Sequence, residues 1–245
     1  MFIFRHCDGS GMKSDKKGKN TKKSGWSSSW AKAFLVMACI LFVGVMIMTS
    51  MGTNWLVSMK PARSGDITYA DVTLKDEIGR TVFTTNQRIY NATLEKGTVA
   101  FLASPMTIAV NTTTQNLIEP LPAYLPATGQ ISFAFLGPEY NQIAAGLDGM
   151  KEGETRHIPF MQNPSFQREM NQEQFTEMGG NFTTVQDGDQ GIFDFTTSPK
   201  ISTDNTTPQY ASRIVTFKNK TSNNITMNFG YSGADVTIIQ LRGSS

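Results

Sequence analysis

The run from Ala33 to Met51 constrains this chain more than any other stretch, because its 19 residues carry no charge. At about 1.5 Å of rise per residue, a helix of that length reaches across the roughly 30 Å hydrocarbon core of a bilayer. Trp30 and Trp55 bracket it, where indole rings favour the membrane interface. Eight Lys/Arg (Arg5, Lys13, Lys16, Lys17, Lys19, Lys22, Lys23, Lys32) precede it against two acids, Asp8 and Asp15. That asymmetry predicts a cytoplasmic N-terminus, with everything after the run outside. A cleaved signal peptide is the competing reading, but the run is long for an h-region and no small-x-small site ends it. The expectation is a single-pass cell-membrane protein. Residues 1–31 form a disordered cytoplasmic tail, 32–54 a transmembrane helix with 33–54 in contact with lipid, 55–65 a linker, and the rest an extracellular domain.

Charge and cysteine usage agree with that division. Residues 1–64 carry ten Lys/Arg and two acids, and residues 65–245 carry twelve against eighteen, so a net +2 hides a basic tail and an acidic ectodomain. An acidic ectodomain excludes nucleic acid as a partner. Cys7 lies in the tail and Cys39 in the apolar run, so residues 65–245 can form no disulfide and depend on a hydrophobic core. Six N-x-Thr sequons, at Asn91, Asn111, Asn181, Asn205, Asn219 and Asn224, all follow the run. Their one-sidedness points to a glycosylated surface protein.

From Asp66 the pattern is β-like: Ile67, Tyr69, Val72 and Leu74 broadly alternate with polar residues up to a Gly79 turn and Thr81-Val-Phe83. Residues 87–130 hold short apolar runs (Val99-Ala-Phe-Leu, Met106-Thr-Ile-Ala-Val) broken by Asn, Thr and Pro. Ile131-Ser-Phe-Ala-Phe-Leu-Gly137 then leads through a short amphipathic segment, near Tyr140 to Asp148, into Gly149-Met-Lys-Glu-Gly-Glu154 and a second apolar run to Phe160. A strand, a short helix, a glycine turn and another strand fit that order. The two histidines, His6 and His157, are too few and too far apart for a metal site, and no cofactor is implied.

Val72-Thr-Leu-Lys-Asp-Glu-Ile-Gly-Arg-Thr-Val-Phe-Thr84, Ile143-Ala-Ala-Gly-Leu-Asp-Gly-Met150 and Gly153-Glu154 resemble the core of FKBP-type peptidyl-prolyl cis-trans isomerases. Gln172-Glu-Gln-Phe175 with Gly180-Asn-Phe182, and Asn228-Phe-Gly-Tyr-Ser-Gly233 before Val236-Thr-Ile-Ile-Gln-Leu241, resemble the two ends of the flap inserted in the SlyD-like branch. The resemblance implies an α+β fold with an antiparallel sheet wrapped on a short helix. Residues 66–160 and 229–245 would make the FKBP-like domain, and 161–228 a β-rich flap-like insertion. The chain departs from the family at several points. Thr84 replaces the pocket acid, about 45 residues (87–130) replace a short connection, and the helix segment between Gly137 and Gly153 is two residues short. The aromatic-Gly pair after the Pro-rich turn is missing around Pro159 to Phe166, Phe229-Gly230 stands for His-Pro, and no His-rich tail is present.

The implied activity is rotamase and folding assistance for secreted and surface proteins, acting on unfolded or proline-containing polypeptides with weakened catalysis. That chemistry needs neither nucleophile nor metal: a pocket that desolvates the prolyl amide and fits its twisted state lowers a barrier of about 18–20 kcal/mol. By position, the substrate-binding aromatics and aliphatics are Phe83, Phe133, Phe135, Tyr140, Ile143, Phe160 and Ile238, and no residue is assigned a catalytic role. Each also suits an ordinary core. Met150 reads as a core plug, His157 as a surface or satisfied histidine, and Asp187-Gly-Asp-Gln-Gly191 as a turn lacking the bidentate Glu of a calcium loop. Two further classes stand beside the isomerase: a non-catalytic peptide-binding surface protein, and a pilin-like subunit, the latter weakened by the absence of an acid in Ala33 to Met51.

Overall fold

The computed structural model describes residues 28–50, 60–196 and 210–243. The chain divides between Gly52 and Thr53 into two units. In the first, α1 (Ser28–Ser50) is one uninterrupted helix, and Lys32–Ser50 is long and apolar enough to cross a membrane. Thr49 and Ser50 return their hydroxyls to the carbonyls of Val45 (2.9 Å) and Ile47 (3.0 Å), which satisfies polar groups within an apolar helix. The tail before Ser28, the predicted helix end at 51–54 and Trp55 lie outside the described residues.

The second unit is α+β, a curled mixed sheet with short helices. Its strands are β1 (Ile67–Lys75), β2 (Thr81–Thr84), β3 (Phe101–Ala103), β4 (Met106–Ala109), β5 (Ile118–Leu125), β6 (Gly129–Leu136), β7 (Thr155–Pro159), β8 (Gln167–Asn171), β9 (Gln190–Thr196), β10 (Tyr210–Lys218), β11 (Asn224–Asn228) and β12 (Gly233–Arg242). Among the described residues three α-helices interrupt them: α2 (Gln87–Glu95), α3 (Gly137–Gly146) and α4 (Gln172–Glu177). The sheet runs β7-β12-β1-β2-β3-β5-β6-β10-β11-β8, with β4 added to β1 and β9 to β10.

The expectation of a wholly antiparallel sheet is corrected at two places, because β2 and β3 are parallel and so are β6 and β10. The cause of the first is local: α2 crosses over between β2 and β3, and a strand–helix–strand unit returns its second strand parallel. Asn86 caps that helix, accepting from the amides of Arg88 (3.0 Å) and Ile89 (3.4 Å).

The strand–helix–turn–strand order from Ile131 to Phe160 forms β6, α3 and β7. The helix begins at Gly137 rather than near Tyr140, since Pro138 suits its first turn. Gly137 is required by a close approach: a Cβ there would lie 2.0 Å from the Asn116 carbonyl oxygen. Gly149 turns the chain with φ +74°, and its amide binds the Ala62 carbonyl (2.9 Å) while Ala62 N–H binds Met150 O (2.7 Å). The end of the predicted linker is thus docked on this turn, and Met150 is fully buried.

The closing strand β12 pairs with β1 along its length and with β7 on its other edge, so 131–160 and 236–241 belong to one sheet. The main core gathers Val72, Leu74, Phe83, Phe133, Ile143 and Val236. Residues 161–228 supply β8, α4, β9, β10 and β11, and all the buried residues of a second cluster, Met170, Phe175, Phe182, Val185, Val215, Phe217, Ile225 and Met227.

Candidate functional site

Period-two alternation on β6 points Phe133 and Phe135 to the core face, where they meet Phe83 from β2. Phe83 stacks on Phe133 at 4.6 Å between centroids and meets Phe135 edge-on at 6.1 Å. Phe101 of β3 reaches Phe133 at 5.0 Å, and Tyr140 of α3 meets Phe135 edge-on at 6.4 Å. Such pairs add about 0.5–1.5 kcal/mol each beyond area burial. The structure therefore brings four of the seven predicted residues into one aromatic column.

That column is closed along most of its length. Phe83, Phe133, Phe135, Ile143 and Ile238 are 0% exposed and Phe160 is 6% exposed. The closing residues come from 87–130, whose Phe101, Met106 and Ile108 enter the same core. Thr84 is also fully buried, with its hydroxyl bound to Thr73 Oγ1 (2.8 Å) and to the Asn86 amide (3.1 Å). It knits β1 to β2 and the start of α2.

The column opens at one end. Phe135 and Tyr140 form part of a groove of about 580 Å³. Its other walls are the β3–β4 turn at Pro105 and Met106, the loop Thr112–Thr114, and Glu119 and Leu121 of β5. Asn141 of α3 fixes the loop, accepting from the Thr114 amide (2.7 Å) and donating to its carbonyl (3.2 Å). Thr114 Oγ1 donates to Glu119 Oε1 (2.6 Å), and Asn116 Nδ2 to the same oxygen (2.9 Å). Burial, with the Glu119 charge, raises the Tyr140 hydroxyl above its ordinary value and an interaction with the Ala109 backbone opposes this, so the phenol is neutral at physiological pH. The groove thus offers apolar walls, a neutral hydroxyl and one carboxylate held in place. Among the described residues no group of three His, Cys, Asp or Glu is placed to hold a metal ion.

Glu119, Leu121 and Thr114 are not legible as site residues from sequence. Pro120 and Pro122 break the strand pattern of β5, although β3 pairs only with its far end, Ala123 and Tyr124, so both prolines sit where one edge needs no donors. The usable signal is the alternation of Leu121, Ala123 and Leu125.

Behind the column lies a buried ion pair. Arg213 of β10 donates from Nε to Phe229 O (2.6 Å), from Nη1 to Ala134 O (2.8 Å) and from Nη2 to Glu139 Oε1. Its guanidinium lies 3.7 Å from the Tyr231 ring centroid. Burial pushes the Glu139 carboxyl above its ordinary value and the Arg213 charge opposes this. Backbone amides of Leu136 and Tyr231 act in the same sense as Arg213, yet Glu139 Oε2 has no partner within hydrogen-bond geometry. The pair joins β10, β6, α3 and the Phe229–Tyr231 segment.

A larger concavity, about 730 Å³, lies over the second cluster between Phe175, Phe217 and β9 and contains none of the predicted site residues. Asp187 and Asp189 serve as turn caps there, accepting from the Lys220 (2.8 Å) and Gln186 (2.8 Å) amides. His157 is a surface residue whose Nδ1 bonds Asp235 (2.7 Å).

Compared with known protein families the chain matches no family model, and among curated proteins none is similar to it.

Proposed function

We propose that this chain is a membrane-tethered, extracytoplasmic folding factor on a divergent FKBP-like scaffold, which holds apolar stretches of unfolded polypeptide and catalyses prolyl isomerisation weakly or not at all. The observation that carries this reading is the aromatic column of β2 and β6, shut over most of its length and reaching a groove only where the partly exposed Tyr140 covers Phe135. Rotamase chemistry needs a cavity that surrounds and desolvates the twisted amide. Side chains packed at 0% exposure leave no such cavity, whereas the open end retains an apolar groove wide enough for one or two side chains.

In this reading α1 anchors the chain with its N-terminus in the cytoplasm and the glycosylated domain outside. Residues 161–228, with their separate cluster, take the place of the flap of the SlyD-like branch. Proline-containing segments are bound as apolar chain, not as a reacting amide.

Two assays on the full chain in detergent test this together. A protease-coupled prolyl isomerisation assay is expected to give a rate close to the uncatalysed one, and suppression of aggregation of a reduced, unfolded client is expected at stoichiometric amounts. Catalytic efficiency near that of ordinary FKBP domains, or no effect on the client, refutes the proposal.

A further inference from the structure

We infer that the groove reads a cation: Glu119 selects polypeptide segments that place Lys or Arg two residues from an apolar side chain. This rests on the groove being the polypeptide site proposed above, and adds which sequences it prefers.

Glu119 is the one charged residue among those lining the groove, and no Lys, Arg or His shares the lining. Two neutral donors, Thr114 Oγ1 and Asn116 Nδ2, converge on its Oε1 and fix the carboxylate in one orientation. Its Oε2 has no hydrogen bond or ion pair among the described residues. A carboxylate at the edge of an apolar groove, oriented by neutral donors and without a cationic partner among the described residues, favours a ligand that brings a positive charge. The donors around it are neutral, so the charge has to come from outside the groove.

Spacing follows from the strand. Glu119 and Leu121 are two residues apart on β5, so their side chains leave the same face about 6.5–7 Å from each other. An extended ligand has the same repeat, so an apolar residue seated on the partly exposed Leu121, Pro105 and Tyr140 puts the side chain two positions along beside Glu119. Pro120 and Pro122 lack the amide donors for a regular added strand, so recognition runs through side chains. The Tyr140 hydroxyl, neutral beside Glu119, can donate to a ligand carbonyl and does not compete for the cation.

The test uses the full chain in lipid nanodiscs and three fluorescein-labelled Gly/Ser peptides carrying Leu-Ser-Lys, Leu-Ser-Gln or Leu-Ser-Glu, read by anisotropy at 50 and 300 mM salt. The Lys peptide is expected to bind about three- to tenfold tighter than the Gln peptide at low salt, the Glu peptide weakest, and the gap to narrow at high salt. Glu119→Gln is expected to bring the Lys peptide to the affinity of the Gln peptide. Equal, measurable affinity for all three peptides on the wild-type chain overturns this inference and leaves the polypeptide site standing. A salt-independent order, or a Lys preference that survives Glu119→Gln, also overturns it. Binding of none of the three overturns both. Should the variant fail to fold, the wild-type salt series alone supports or overturns the cation preference.

Discussion

Replacing Arg213 by Met tests whether the buried pair is what ties β10 to the core. Methionine roughly fills the stem of the arginine, so the cavity left is small and the loss is mainly electrostatic. Three acceptors lose their donor at once: Ala134 O, Phe229 O and Glu139 Oε1. A buried neutral acceptor left unsatisfied costs about 1–3 kcal/mol, and breaking one side of a buried ion pair costs about 3–5 kcal/mol in total. Arg213→Met should therefore destabilise by about 4 kcal/mol, a large share of the roughly 5–15 kcal/mol that holds a typical domain. Urea unfolding of the full chain in detergent, followed by near-ultraviolet circular dichroism, measures this. The variant should also acquire a pH dependence of known sign. Without Arg213, Glu139 keeps the burial that raises its carboxyl and loses the charge that opposed it, so the folded state holds a proton over a wider range above the ordinary carboxylate value. Stability falls with rising pH wherever the folded state binds more protons, so relative to wild type the variant should be firmer at pH 5 than at pH 8. Adding Glu139→Gln should recover at least about 1 kcal/mol at pH 8 by removing the uncompensated charge. A loss under about 1 kcal/mol, or a variant that weakens on acidification relative to wild type, would refute the reasoning.

The closed column and its open end separate in mutagenesis: Phe133→Ala should cost about 3–5 kcal/mol of unfolding free energy. Leu121→Ala, at a half-buried position against the edge of the core, should cost clearly less stability yet weaken apolar-peptide binding by about 1–2 kcal/mol, and equal losses of stability from the two variants would contradict the assignment. Burial opposes ionisation of Asp235, but hydrogen bonds and charge from Lys75 and His157 outweigh it and hold the carboxyl below its ordinary value. Its contribution is present above the ordinary carboxylate range and lost as pH falls through the lowered value, so Asp235→Asn should flatten the acid limb of the stability curve. Glycopeptide mapping by mass spectrometry should find Asn111, Asn181 and Asn219 occupied, since each is exposed with an exposed Thr two residues on. Asn91 should be bare, because Thr93 is buried and its hydroxyl donates to Ile89 O (2.8 Å) within α2, and Asn224 should be bare because it is paired in β11 and bound to Glu169. Full occupancy at Asn91 would overturn that rule.

How much is legible in the sequence depends on where each element finds its partners. The segment 131–160 can be read because apolar alternation, Pro138 and the glycines at 149 and 153 are local signals, and β6, α3 and β7 follow them closely. The hairpin of β1 and β2 is equally plain: Asp76 caps it by accepting from the Arg80 (2.8 Å) and Ile78 (3.2 Å) amides around Gly79. Arg213 is not legible. In Tyr210-Ala-Ser-Arg-Ile-Val-Thr-Phe it looks like an outward polar position, yet residues 211–215 are all buried, and only the distant Glu139 and two carbonyls make that tolerable.

In sequence the stretch 87–130 looks like an interruption of the core, and the structure makes it part of the core instead. Its strands β3, β4 and β5 pair with β2, β1 and β6, so the sheet continues through a region that a shorter connection would leave open. Continuing the sheet has a steric consequence. Phe101 then packs on Phe133 while Met106 and Ile108 join the same core, and the aromatic column is closed over most of its length. The same strands carry Glu119, Leu121 and the Thr112–Thr114 loop past the end of the column at the partly exposed Tyr140. One segment of chain therefore both closes the predicted pocket and builds the groove beside it. Closure and groove formation cannot be separated by point substitution in the column itself. They can be separated in β5, where Leu121 and Glu119 face the groove while Ala123 and Leu125 face the core. Substitutions at 119 and 121 should change what the protein binds, and substitutions at 123 and 125 whether it folds.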